Sequence, residues 1–181
     1  MGKQIIILNG SPRKKGNTAE LIRCFTEGAQ EAGHTVTAFH LDSMGIHGCK
    51  GCFNGGKDFD HPCVQRDGME KIYPVYREAD IVVLASPLYY WNFSGQLRTA
   101  FDRLFAVAEC NPGYANPQKQ AVLLMAAEGY GFEDCVTYYQ HLLGHLGWED
   151  LGMVLAGGNM EVGDIAGKRE LDWARQLGRS V

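Results

Sequence analysis

The segment Asn9-Gly10-Ser11-Pro12-Arg13-Lys14-Lys15-Gly16-Asn17-Thr18 gathers the groups that hold a phosphate. Gly10 lets the backbone turn tightly, and Gly16 leaves room for a ligand to approach. Ser11, Asn17 and Thr18 supply short polar side chains, and Arg13, Lys14 and Lys15 supply charge that a phosphate dianion attracts. A helix entered near Asn17 would point its unpaired N–H groups and positive end at the same place. Spacing excludes two other phosphate loops. A nucleoside-triphosphate loop needs Gly, four residues and then Gly-Lys-Ser/Thr; here five residues separate Gly10 from Gly16, and Asn17 stands where the lysine belongs. The dinucleotide fingerprint Gly-x-Gly-x-x-Gly does not follow the first apolar run. The plain alternative is a strand-turn-helix link with a basic, solvated loop.

Two further segments are rich in aromatics and glycine. Ser86-Pro87-Leu88-Tyr89-Tyr90-Trp91-Asn92-Phe93-Ser94 and Glu128-Gly129-Tyr130-Gly131-Phe132 each follow an apolar run. Backbone amides from Leu88 to Trp91 are placed to meet the polar edge of a flat ring, and the glycines permit close approach. One phosphate beside a large flat ring describes FMN better than a dinucleotide. Tyr89, Tyr90 and Trp91 have a core reading too, but aromatics rarely sit side by side in a loop for packing alone.

The elements that must position these loops alternate along the chain. Strands are expected near 4–9, 35–41, 80–86, 120–127 and 150–156, and helices near 17–32, 68–78, 94–108, 132–147 and 165–178. Ile5-Ile6-Ile7-Leu8, Ile81 to Ala85 and Ala121 to Met125 are continuous apolar runs, as required when helices cover both faces of a parallel sheet. The expectation is an α/β doubly wound fold. Its ligand would sit beyond the carboxyl ends of strands one, three and four, where these loops lie.

Together, Gly10 to Thr18, Cys49-Lys50-Gly51-Cys52, and Ser86 to Trp91 running on to Phe101-Asp102-Arg103-Leu104 resemble the flavodoxin-like NAD(P)H-dependent FMN reductases. The likeness is to the branch related to iron-sulfur flavoproteins, and it spans nearly the whole chain. It implies a five-stranded parallel sheet in the order 2-1-3-4-5 with helices on both faces. It implies FMN held at the phosphate by Ser11, Arg13, Gly16, Asn17 and Thr18, at the ring by Pro87, Leu88, Tyr89, Tyr90 and Trp91, and near the ribityl or pyrimidine side by Glu128, Gly129, Tyr130 and Gly131. It further implies NADH or NADPH as donor, a quinone, azo, nitro or flavin acceptor, and a homodimer with the flavin near the subunit boundary. The chemistry takes place at flavin N5, so no catalytic side chain is expected. A flavodoxin-type electron carrier is an alternative, but it would be more acidic than the formal net charge of −4.

The cysteines depart from the branch pattern. Cys49, Cys52 and Cys63 are within reach of one another, but Gly55 stands where a third closely spaced cysteine would be expected. A four-iron cluster takes four cysteines, so a cluster is not favoured. His61 would complete a Cys3His zinc set with Cys49, Cys52 and Cys63, and Cys49/Cys52 could form a redox pair, making a metal-binding or redox-sensing module the other alternative. The leading reading is structural or vestigial thiols. Cys24, Cys110 and Cys135 read as small core residues, His141 and His145 as solvated or interface histidines, and Asp102 and Arg103 as a structural ion pair or dimer contact.

At 181 residues and 45% hydrophobic content the chain is expected to form a single domain with a full core. No apolar run is long enough to span a bilayer, the start carries no signal-peptide core, and no broad basic face fits nucleic acid. A cytoplasmic protein with reduced cysteines is expected.

Overall fold

A computed structural model describes residues 2–181. Five parallel strands, β1 (Gln4–Asn9), β2 (Thr35–His40), β3 (Ile81–Tyr89), β5 (Gln120–Ala126) and β6 (Glu149–Ala156), lie in the order β2-β1-β3-β5-β6. Counting only these parallel strands, the order is the expected 2-1-3-4-5. The sheet also has a stub the sequence reading missed, β4 (Asn92–Phe93), which folds back antiparallel on the end of β3.

The helices are α1 (Asn17–Glu31), α2 (Met69–Glu78), α3 (Gly95–Arg103), α4 (Phe105–Glu109), α5 (Glu133–Leu146) and α6 (Arg169–Ser180). The expected helix 94–108 breaks at Leu104 into α3 and α4, and the last helix starts at Arg169 instead of 165. Residues 157–168 are instead a loop beyond the carboxyl end of β6.

Alternate strand residues feed two cores. Ile6, Leu8, Val82, Leu84, Leu123 and Met125 face the side that holds α2, α3 and α5. Ile5, Ile7, Ile81, Val83, Val122 and Leu124 face α1 and α6. This two-sided burial is what a parallel sheet under helical layers demands, and it accounts for the unbroken apolar runs.

Two glycines set the spacing of α1 against α6. A Cβ on Gly28 would strike the Arg175 carbonyl, and one on Gly178 would strike the Phe25 carbonyl, so the two backbones touch where these residues meet. Outside the contact, Arg175 and Arg179 pair with Glu31. Gly28→Val should push α6 off the sheet and destabilise the protein by about 3 kcal/mol. Urea unfolding is the check; an unchanged midpoint would show that the helices have room to shift. Under α6, the β5–β6 register slips between Ala121 and Leu123, and Gly152 stands at φ +129 beside the slip, close to Leu177.

Candidate functional site

The cradle loop follows the carboxyl end of β1, and its shape comes from bonds within the chain. Ser11 N–H donates to Asn9 Oδ1 (2.9 Å), Arg13 N–H donates to Ser11 Oγ (3.2 Å), and the Gly10 N–H bonds the Ala85 carbonyl of β3 (2.8 Å). Ser94, wholly buried, ties the loop to the aromatic segment. Its hydroxyl donates to the Gly10 carbonyl (2.7 Å) and caps α3 by accepting from Leu97 N–H, while its own N–H donates to Ser86 Oγ (2.9 Å). A Cβ on Gly10 would collide with that hydroxyl, which is why glycine stands there.

Gly16 is the N-cap of α1 and supplies no side-chain cap bond, so the first-turn amides are left for a ligand. Ser11, Arg13, Gly16, Asn17 and Thr18 line one side of a cleft of about 250 Å³, and Pro87, Leu88, Tyr89 and Glu128 line the other. A second recess of about 340 Å³ shares Leu88, Ala127 and Glu128 with this cleft and continues to Tyr90, Trp91, Gly129 and Gly131. Thirteen of the fourteen residues expected around the cofactor line one or both hollows. The exception is Tyr130, whose ring lies over Gly157 and Gly158.

Asn17, expected as a donor at the phosphate, lines the cleft and also bonds within the chain. Its Nδ2 donates to the Glu161 carbonyl (2.8 Å), and its Oδ1 accepts from the N–H groups of Gly163 (3.0 Å) and Ile165 (3.4 Å). The side chain fastens the loop after β6. That loop supplies a wall the sequence reading missed, Asn159 and Met160. Lys168 braces it through Nζ, donating to the carbonyls of Gly157 (3.1 Å) and Gly158 (2.7 Å) and to Asn159 Oδ1 (2.9 Å). The only sequence signal was the glycine-asparagine run Gly157-Gly158-Asn159 after an apolar strand.

The aromatic segment is a tight hairpin. Leu88 pairs with Phe93 and Tyr89 with Asn92, so Tyr90 and Trp91 alone form the turn. Both have positive φ, 47° and 58°. A two-residue turn of this kind favours Asn-Gly, and bulky residues in the left-handed region cost about 1 to 2 kcal/mol each. Phe93 anchors the base in the core against Tyr138, with ring centroids 5.7 Å apart.

The cysteine segment stands apart from this cleft. Cys49, Cys52 and Cys63 line a third hollow of about 210 Å³ with Phe53, Arg103 and Phe105. His61 does not join them: its Nδ1 lies 3.0 Å from Glu70 Oε1. Among the described residues no group of three or more His, Cys, Asp or Glu side chains is arranged to hold a metal ion. Arg103 is buried and its ion pair is structural, but its partner is Asp67 (2.8 Å), not the neighbouring Asp102. Burial would raise the Asp67 carboxyl, yet hydrogen bonds from Arg103 and from the His47 and Met69 amides hold it below the usual carboxylate range. Cys135 is a buried core residue whose thiol burial pushes up to about 12; burial also raises the buried Cys24 and the half-buried Cys110. His141 and His145 are exposed on α5.

A doubly wound parallel sheet in this strand order, with its cleft where the order reverses at β1 and β3, defines a flavodoxin-like protein. Residues 4–162 match the family of NADPH-dependent FMN reductases, and the chain belongs to that family. It is therefore an oxidoreductase that works with FMN and a reduced nicotinamide nucleotide. The chain is 31% identical over 174 residues to an iron-sulfur flavoprotein of Archaeoglobus fulgidus, covering 95% of this chain and 76% of the relative. It is 29% identical over 159 residues to the iron-sulfur flavoprotein of Methanosarcina thermophila, covering 87% and 79%. Among solved structures, an NAD(P)H:quinone oxidoreductase from Methanothermobacter marburgensis superposes with a TM-score of 0.75 at 23% identity, covering 99% of this chain and 96% of that one. Azoreductase AzrA superposes with a TM-score of 0.70 at 21% identity, covering 98% and 99%. Among the described residues no helix is long and apolar enough to cross a membrane.

Proposed function

We propose that this protein binds FMN across the two joined hollows and passes electrons from NADH or NADPH to a small organic acceptor such as a quinone, an azo or nitro compound, or free flavin. The observation that carries this reading is the uncapped first turn of α1 opening into a cleft whose opposite wall is the Pro87–Tyr89 strand end. When bound, FMN supplies hydride acceptance and electron release at its ring.

The chain's own groups position and shield. The α1 amides and Arg13 would hold the phosphate, with charge-assisted bonds stronger than neutral ones. Asn17 and Lys168 keep the Asn159–Met160 wall closed on the cleft. In this reading, backbone N–H groups from Gly129 to Gly131 would stabilise negative charge at the ring's pyrimidine edge. Alignment of donor and ring contributes several kcal/mol of barrier lowering on general grounds, and no side-chain acid or base is needed.

We propose a cytoplasmic, single-domain homodimer. Tyr130, Met160 and Val162 are exposed apolar groups beside the cleft that a second copy would cover. We assign no cluster to the three thiols, because a four-iron cluster takes four cysteines and this segment offers three. The deciding measurement is a visible absorbance spectrum of purified protein, repeated after FMN and then after anaerobic NADH or NADPH. Flavin bands that bleach with either nucleotide are expected. Protein that stays colourless with FMN would sink the assignment, and a broad shoulder beyond the flavin bands would restore the cluster.

A further inference from the structure

The Tyr90-Trp91 turn stands out in this chain because it opposes folding. The described non-glycine residues with positive φ are Phe53, Tyr90, Trp91 and Tyr114, all aromatic and all exposed. Tyr90 is 95% exposed and Trp91 61%, so burial does not compensate their backbone strain. Nothing in the hairpin base demands them. Phe93 anchors it, Ser94 bonds it to the cradle, and Asn-Gly would make the same two-residue turn without strain. Strain kept where it brings no packing gain marks a position held for function.

What the turn displays is a bounded surface. The two rings stand edge to face, with centroids 6.0 Å apart, on one side of the recess whose other side is Gly129 and Gly131. The Trp91 indole reaches the Gly131 backbone, where a Cβ would touch its Nε1 and lie close to Glu133 Oε2. Glu128 lies between the recess and the phosphate cleft and lines both, and its carboxylate is exposed. The basic groups Arg13, Lys14 and Lys15 lie on the cradle loop, and of these only Arg13 lines either hollow. The rim of the recess that a bound flavin ring would leave open therefore offers aromatic faces, peptide edges and negative charge.

We propose that Tyr90, Trp91 and Glu128 select the electron acceptor, favouring a planar ring without negative charge over a compact anion. The inference rests on the FMN-reductase reading above and adds which residues choose among acceptors. The net reaction is NAD(P)H, a proton and a quinone giving NAD(P)⁺ and hydroquinone, so no other reactant is required. The aromatic pair supplies the stacking faces. Glu128, which lines the recess, opposes an anion in the same space.

The test compares wild type with Y90N/W91G and with E128Q, using menadione as the planar neutral acceptor and ferricyanide as the compact anion. Removing the strain should raise the thermal midpoint of the flavin-free Y90N/W91G protein by about 4 °C or more. In the FMN-loaded protein, the ratio of kcat/KM for menadione to that for ferricyanide should fall by about tenfold or more in Y90N/W91G. In E128Q, kcat/KM for ferricyanide should rise relative to menadione. An unchanged ratio in both variants, or a midpoint that falls in Y90N/W91G, overturns the proposal. Wild-type protein that binds FMN yet reduces neither acceptor overturns the underlying reading as well, which separates that failure from a failure of selectivity.

Discussion

Asp67→Ala is expected to destabilise the protein by about 3 to 5 kcal/mol, enough to threaten folding at ordinary temperature. The side chains of Arg103 and Asp67 are 1% and 4% exposed. Arg103 Nη1 also donates to the His47 carbonyl (2.8 Å), and Asp67 accepts from the amides of His47 and Met69. Removing the carboxylate leaves a buried guanidinium without its counter-charge and frees the long irregular connection between β2 and α2 from α3. Equilibrium urea denaturation measures the effect. A loss below about 1 kcal/mol would show that the pair behaves like an exposed one. The double variant Asp67→Leu with Arg103→Met should recover most of the loss, because it removes both charges together.

The same pair sets a pH dependence. The Asp67 carboxyl is held below its unfolded value, so its contribution is fully present above the unfolded pKa and is lost as pH falls through the folded one. Wild-type stability should therefore decline on acidification in a step that Asp67→Asn lacks. Parallel declines in the two proteins would assign the acid sensitivity to other carboxylates.

The second large effect concerns the cradle. Arg13→Ala combined with Asn17→Ala is expected to weaken FMN binding by at least about thirtyfold, from two losses of about 1 to 3 kcal/mol each. The two substitutions act by different routes. Arg13 takes away charge at the phosphate, whereas Asn17 releases the loop that carries Asn159 and Met160. Arg13→Ala should accordingly make binding less dependent on salt, and Asn17→Ala should speed proteolysis near residues 157–165 in the flavin-free protein. Fluorescence titration of FMN reads the affinity, and a value within threefold of wild type would remove the phosphate assignment.

Much of the fold was legible because a parallel sheet writes itself as unbroken apolar runs, and Ile5 to Leu8, Ile81 to Ala85 and Ala121 to Met125 are such runs. The grouping of the three loops around neighbouring hollows was legible too, since glycine, short polar and aromatic residues cluster locally. What could not be read depends on partners distant in the chain. Asn17 looked like a ligand donor, and its bonds to residues 161–165 arise only once β6 lies in the sheet. Arg103 had Asp102 beside it in sequence, but helix geometry turned it toward Asp67. The left-handed turn at Tyr90 and Trp91 contradicts local preference, so local preference could not reveal it.

The slipped register beside Gly152 bears on how the molecule avoids polymerising. β6 is an edge of the sheet, and a straight edge strand with free amides is a template onto which another chain can add. Here the bulge bends that edge out of line, and Glu149 and Asp150 place exposed acids at its start. An incoming strand would meet a kink and two negative charges before it could form a ladder. The irregularity that interrupts β5–β6 pairing thus works against strand addition at this edge, an effect independent of the cofactor.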